Sequence, residues 1–157
     1  MAGVIEGRVI EVRDGVTLTI LANGGSSIHR VQLAGIEAPG KGQAIGDSSR
    51  ESLRRMASGK KVRVEANSID SRGILVAIVQ IRKDPKDCGS EPCAPVLDPV
   101  LRQLSAGLAR FDKAKANVYS QETQRLYAVA EEHARAIRIG LWRDAQGPRE
   151  GAATLTR

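Results

Sequence analysis

Aromatic residues are nearly missing from this chain: one Phe, one Trp and two Tyr make up 3% of its 157 residues. The core must therefore come from Val, Ile, Leu and Ala, and any nucleic-acid surface has few rings on which to stack bases. Two histidines, His29 and His133, lie far in sequence from the two cysteines, which leaves no spacing for a zinc site. No apolar run approaches the roughly 20 residues of a membrane-spanning helix. Met1 to Gly7 also lacks the basic start and apolar stretch of a signal peptide, so a soluble chain with no membrane partner is expected. No internal repeat is visible.

Positive charge is what the chain has in excess. Lys and Arg number 24 against 18 Asp and Glu, a net charge of +6 and a pI near 9.7. That balance favours a polyanionic partner through counterion release, and with so few rings, charge must carry most of any such binding. The length suits one domain with a single small core. Cys88 and Cys93 sit in CGSEPC. They either close a small disulfide loop, which implies an extracytoplasmic or secreted setting, or are two surface thiols in a reducing one. The disulfide is favoured because paired exposed thiols are an oxidation liability.

Periodicity supplies the elements. Gly3 to Val12 reads as a strand ending at the Asp14-Gly15 turn. Val16, Leu18 and Ile20 alternate with Thr17 and Thr19 in a second strand. Asn23-Gly24-Gly25 turns the chain into a third, which puts Ile28, Arg30 and Gln32 on one face. Ser48-x-x-Glu51 reads as a capping box opening a short helix that turns Leu53 and Met56 inward and stops at Gly59. Lys61 to Ala66 is a fourth strand. After an Asp70-Ser71-Arg72-Gly73 turn, Ile74 to Ile81 is a fifth, apolar on both faces. Asp98-Pro99 opens a second helix. A third starts near Ser120, with an apolar stripe at Leu126, Val129, Ala130, His133, Ala134 and Ile137 and a stop at Gly140. His133, on that stripe, reads as a packed residue rather than a ligand, and Trp142 as a core plug.

The landmarks D-G-x-T-L, G-I-E-A-P, D-x-x-G, G-L-A and G-L-W come in the order of the staphylococcal-nuclease family, which the chain resembles from about Gly3 to Asp144. The resemblance implies an α+β fold, a five-stranded OB-fold β-barrel with three helices. Residues 1–144 form the domain, 83–97 a cysteine-containing loop insertion and 145–157 a flexible tail. It also implies calcium-dependent phosphodiester hydrolysis, with two aspartates and a threonine carbonyl on the metal, a glutamate base and two arginines on the phosphate.

Several of those positions are changed here. The second Asp of D-G-D-T falls on Val16, which offers calcium no oxygen. The second metal-ligand Asp falls on Glu37 and the threonine on Ala38, whose carbonyl serves equally well. The general base falls on Gly40, and the two arginines on Gln32 and Ile74. Loss of one charge-stabilising arginine in phosphoryl chemistry costs about 10³–10⁵ in rate, so ordinary turnover is not expected.

Arg30 and Arg72 each stand two residues before a lost arginine. Either they keep positive charge near the old phosphate position or they are solvated strand-end and turn residues. Arg110, Lys113 and Lys115 follow Gly107-Leu108-Ala109, near the substrate groove implied by the resemblance. Arg54, Arg55, Lys60 and Lys61 form a second basic group that reads as a solvated face. Asp14 and Glu37 are the residual candidates for calcium, though Asp14 is also an ordinary turn residue.

The expected function is a catalytically impaired module that binds nucleic acid, single-stranded DNA or RNA, through Arg30, Arg72, Arg110, Lys113 and Lys115. One alternative is a slow metal-dependent nuclease using Asp14, Glu37, Arg30 and Arg72. Another is a protein-interaction scaffold whose cysteine loop contacts a protein partner.

Overall fold

The computed structural model describes residues 3–25, 27–39, 44–83, 86 and 96–143. Gly40, Cys88, Cys93 and the segment from 144 to 157 lie outside the described residues, and with them the expected base position, disulfide and tail.

Alternating apolar residues make β1 (Gly3–Val12), β2 (Thr17–Ala22) and β3 (Ile28–Leu33) an antiparallel meander whose apolar face is buried, β2 being buried on both faces from Thr17 to Ile20. After the short β4 (Ile36–Glu37), α1 (Ala44–Ala57) leads to β5 (Lys61–Ile69) and β6 (Leu75–Arg82). β5 pairs antiparallel with both β1 and β6. β6 then meets β3 in parallel, with Val31 opposite Leu75 and Leu33 opposite Ala77. That last pairing closes the expected five-stranded barrel, and with three helices the architecture is α+β of the OB type. Leu18, Ile20, Val31, Leu33, Leu53, Val64 and Leu104 are fully or almost fully buried in its core, which Tyr119 and Tyr127 join as its two buried aromatic residues.

Two further pairings extend the barrel. β7 (Val96–Leu97) adds to β6, so the end of the stretch expected to be loop is a strand. β8 (Arg110–Phe111) pairs with β4, Glu37 opposite Arg110. β6 is covered on one face only: Ala77, Val79 and Ile81 are buried, whereas Val76 and Ile78 are half-buried and Gln80 is exposed. β5 runs past Ala66 to Ile69 through a register shift.

α1 starts at Ala44, so Ser48 lies inside the helix and no capping box forms. Glu51 instead pairs with Arg54 and Arg55, and the Arg54 hydrogen bond holds its carboxyl down at about 2. α2 (Pro99–Ser105) begins as expected, Asp98 Oδ1 accepting from Val100 N at 3.0 Å and Leu101 N at 3.2 Å. α3 (Gln121–Ala136) begins at Ser120, whose Oγ accepts from Thr123 N at 3.1 Å.

The buried stripe of α3 differs from the expected one. Tyr127, Ala130 and Ala134 face inward, while Leu126, Val129 and Ile137 are 50, 62 and 52% exposed and His133 is exposed rather than packed. Tyr127 wins the inward position because its ring meets Tyr119 and Phe111 edge-on and its hydroxyl donates to Asp98 Oδ2. The helix ends at Ala136 with Ile137 as its cap, and Arg138 beyond it takes the left-handed conformation at φ 58°, two residues before Gly140. Gly140 serves a close approach: a Cβ there would overlap the Gly107 carbonyl, and Leu141 N donates to that oxygen at 2.7 Å. Among the described residues no helix is long and apolar enough to cross a membrane.

Candidate nucleic-acid interface

The turn between β1 and β2, taken as the barrel mouth, is held from several sides. Asp14 Oδ1 accepts from Val16 N at 2.8 Å and Arg13 N donates to Thr17 O at 2.9 Å, so Asp14 stabilises its own turn. Gln103 of α2 donates to Gly15 O at 2.9 Å and to Ser49 O at 3.0 Å. A Cβ on Gly15 would overlap Ser49 Oγ, so α1 and α2 both press on the turn. Leu33 N donates to Val16 O at 2.8 Å and ties the turn to the end of β3.

The altered family positions are built into this frame. Val16 and Ile74 are 4 and 7% exposed, and Val16 belongs to the central hydrophobic cluster. Gln32 is half-buried, opposite Thr17 on β2 and Val76 on β6. Among the described residues, no three of His, Cys, Asp and Glu come together as a metal-holding group. Asp14 is half-buried and Glu37 is exposed on β4 opposite Arg110.

Arg30 and Arg72 reach the same end of the β3–β6 seam. The parallel register, Val31 beside Leu75, puts Arg30 next to Ile74 and the Asp70–Gly73 turn immediately beyond. Arg30 is exposed, opposite Thr19, whose hydroxyl donates to Glu11 Oε1 at 3.1 Å. Arg72 pairs with Asp70 at 2.9 Å, its side chain 69% exposed. Asp70 also accepts from Ile74 N at 3.0 Å, and that backbone bond, aided by Arg72, holds its carboxyl below the usual range. An ion pair with so exposed an arginine adds little to stability.

Lys113 and Lys115 are exposed on a one-turn 3₁₀ helix opened by Asp112, whose Oδ1 accepts from Ala114 N at 3.1 Å. Lys113 borders an open groove of about 580 Å³ that also takes in Phe111, Arg125 and Arg135, with Glu131 and Glu132 among its lining, so its charge is mixed. Arg110 stands apart, its guanidinium 5.7 Å from the Trp142 ring centroid. Arg135 covers the same ring at 4.5 Å. Trp142 is therefore a half-exposed ring held by two cations rather than a core plug, and its buried Nε1 has no hydrogen-bond acceptor among the described residues. Nothing in the local sequence announces this clamp, because Arg110 and Arg135 lie on different elements.

The fold is a small OB-type barrel in which the buried Val16 and Ile74 lie close to the exposed Arg30 and Arg72. The chain belongs to the staphylococcal nuclease homologue family, which it matches over residues 30–144. It is 34% identical to an uncharacterized endonuclease of Haemophilus influenzae over 87% of this chain and 66% of that protein, so it spans about two thirds of that relative's length. It is 30% identical to a micrococcal nuclease of Shigella flexneri over 90% of this chain and 77% of the relative. A protein named ParB from Escherichia coli is 31% identical, over 89% and 73%.

Proposed function

We propose that this chain is a nuclease-family barrel that binds single-stranded nucleic acid at its mouth without cutting it. The observation that carries the reading is the burial of Val16 and Ile74, at positions where the resemblance implies a metal ligand and a phosphate-clamping arginine. An apolar side chain packed into the core can neither coordinate calcium nor stabilise a pentacovalent phosphate. Positive charge persists around those positions in Arg30 and Arg72, with Lys113 and Lys115 further along the rim. Phosphate binding therefore outlasts phosphate chemistry.

The relatives' names favour a second reading, a slow metal-dependent phosphodiesterase built from Asp14, Glu37, Arg30 and Arg72. Against it, Asp14 Oδ1 is already engaged by Val16 N. One experiment separates them: cleavage of an end-labelled single strand with calcium, with magnesium or manganese and with chelator, each beside Glu37→Ala. The expected result is no metal-dependent product, together with salt-sensitive binding that weakens in Arg30→Ala and Arg72→Ala. Metal-dependent cutting lost in Glu37→Ala would establish the second reading.

A further inference from the structure

A row of like charges crosses the outer face of the barrel, away from the mouth. Arg8 on β1 stands directly opposite Lys61 on β5. The β5–β6 register, Val62 opposite Ile81, puts Arg82 beside Lys61 one step further along. All three side chains are exposed. Neighbouring strands lie about 4.8 Å apart, so three cations sit in a line on three adjacent strands. Like charges placed opposite one another destabilise a sheet. Among the described residues, no carboxylate forms an ion pair with any of the three, and Glu6, the nearest acid in the register, stands opposite Arg63 instead. Arg8 is further fixed by donating to the Gly59 carbonyl.

We infer that Arg8, Lys61 and Arg82 form a second contact surface for the phosphate backbone of nucleic acid. The partner is polyanionic because only repeated negative charge relieves three aligned cations at once. It is a backbone rather than a base because the row offers donors and no ring. The surface is distinct from the mouth: β6 starts beside the Arg72 turn and ends at Arg82, roughly 23 Å away at about 3.3 Å per residue. A strand long enough to engage both would leave the mouth and run across the sheet.

The test is fluorescence anisotropy with a labelled single strand of about 20 nucleotides, longer than the roughly 4–16 nucleotides one OB barrel holds. The wild-type chain is compared with Lys61→Gln/Arg82→Gln, Lys61→Glu/Arg82→Glu and Arg30→Ala/Arg72→Ala across a salt series. All changes in the row are at exposed positions. The Gln variant removes like charges and its melting temperature should not fall, whereas the Glu variant still sets two like charges opposite each other, so its binding is read only at temperatures where its melting curve shows it folded. The expected result is at least about tenfold weaker binding at low salt in both row variants. In the Gln variant, the slope of log affinity against log salt should be shallower by about 1.4, at about 0.7 per lost phosphate contact.

Unchanged affinity and slope in both row variants, while Arg30→Ala/Arg72→Ala weakens binding, would overturn this inference and leave the mouth as the binding surface. Weakening in the row variants alone would support the row and remove the mouth. Absence of wild-type binding at low salt would overturn both. Loss of binding to anionic phosphatidylglycerol vesicles with oligonucleotide affinity intact would also overturn it.

Discussion

Val16 sits 4% exposed among Val, Leu and Ile side chains, and what happens on placing an acid there is the sharpest test of the mouth. Val16→Asp restores the carboxylate implied by the family pattern but removes it from water. The expected cost is at least about 2 kcal/mol in urea denaturation at neutral pH. Calcium should not recover it, since Asp14 is committed to its own turn and no third ligand stands nearby among the described residues. A variant restored to wild-type stability by millimolar calcium would show that a ligand sphere survives. Val16 was legible twice in the sequence, as a break in D-G-D-T and as the first member of the Val16-Leu18-Ile20 row. Trp142 was not, because a half-exposed ring between Arg110 and Arg135 depends on contacts across three separate elements.

At the scale of elements, Asp98 joins two helices: it caps α2 and accepts from the Tyr127 hydroxyl of α3. Burial first, and then the Asp98 bond and charge, raise the Tyr127 phenol above its ordinary value. Burial and the Asp98 charge do the same for Tyr119. Both tyrosines are thus neutral in the fold and ionise more readily once unfolded. Their contribution is fully present below the unfolded value of about 10 and is lost as pH rises above it. Urea midpoints should therefore fall steeply above about pH 10, and Tyr127→Phe, though less stable at pH 7, should decline less steeply. Parallel pH profiles for both proteins would refute the assignment. Asp98-Pro99 and Ser120 were readable as helix starts because a cap is a local signal. The inward face of α3 was readable in part: Ala130 and Ala134 are buried as expected, but Tyr127 rather than Leu126, Val129 or Ile137 completes the face. Its ring contacts with Tyr119 and Phe111 and the acceptor on Asp98 come from other elements and leave no local signal. The start of α1 was missed for the opposite reason: a convincing local cap at Ser48 lies within a helix whose first turn carries no comparable signal.

For the whole molecule, binding and stability are linked, and the two ligand classes separate by how they shift melting. A ligand that binds only the folded chain stabilises it by RT ln(1 + [L]/Kd), about 2.7 kcal/mol at a hundredfold excess over Kd. At the entropy of unfolding usual for a domain of this size, that corresponds to about 5–10 °C in Tm. A single-stranded oligonucleotide should raise Tm by that amount at low salt, and high salt should erase the shift, because a net charge of +6 binds chiefly by releasing counterions. Millimolar calcium or chelator should each move Tm by less than about 1 °C, since no three candidate ligands come together among the described residues and isolated carboxylates gain too little from a hard cation. Differential scanning fluorimetry on one protein stock measures all four conditions. A calcium shift that chelator reverses would mean that Glu37 and residues outside the described ones complete a metal site. A calcium-independent, salt-sensitive oligonucleotide shift is what the proposed binding through Arg30 and Arg72 predicts, with Val16 and Ile74 packed into the core where the resemblance implies a metal ligand and a phosphate-clamping arginine.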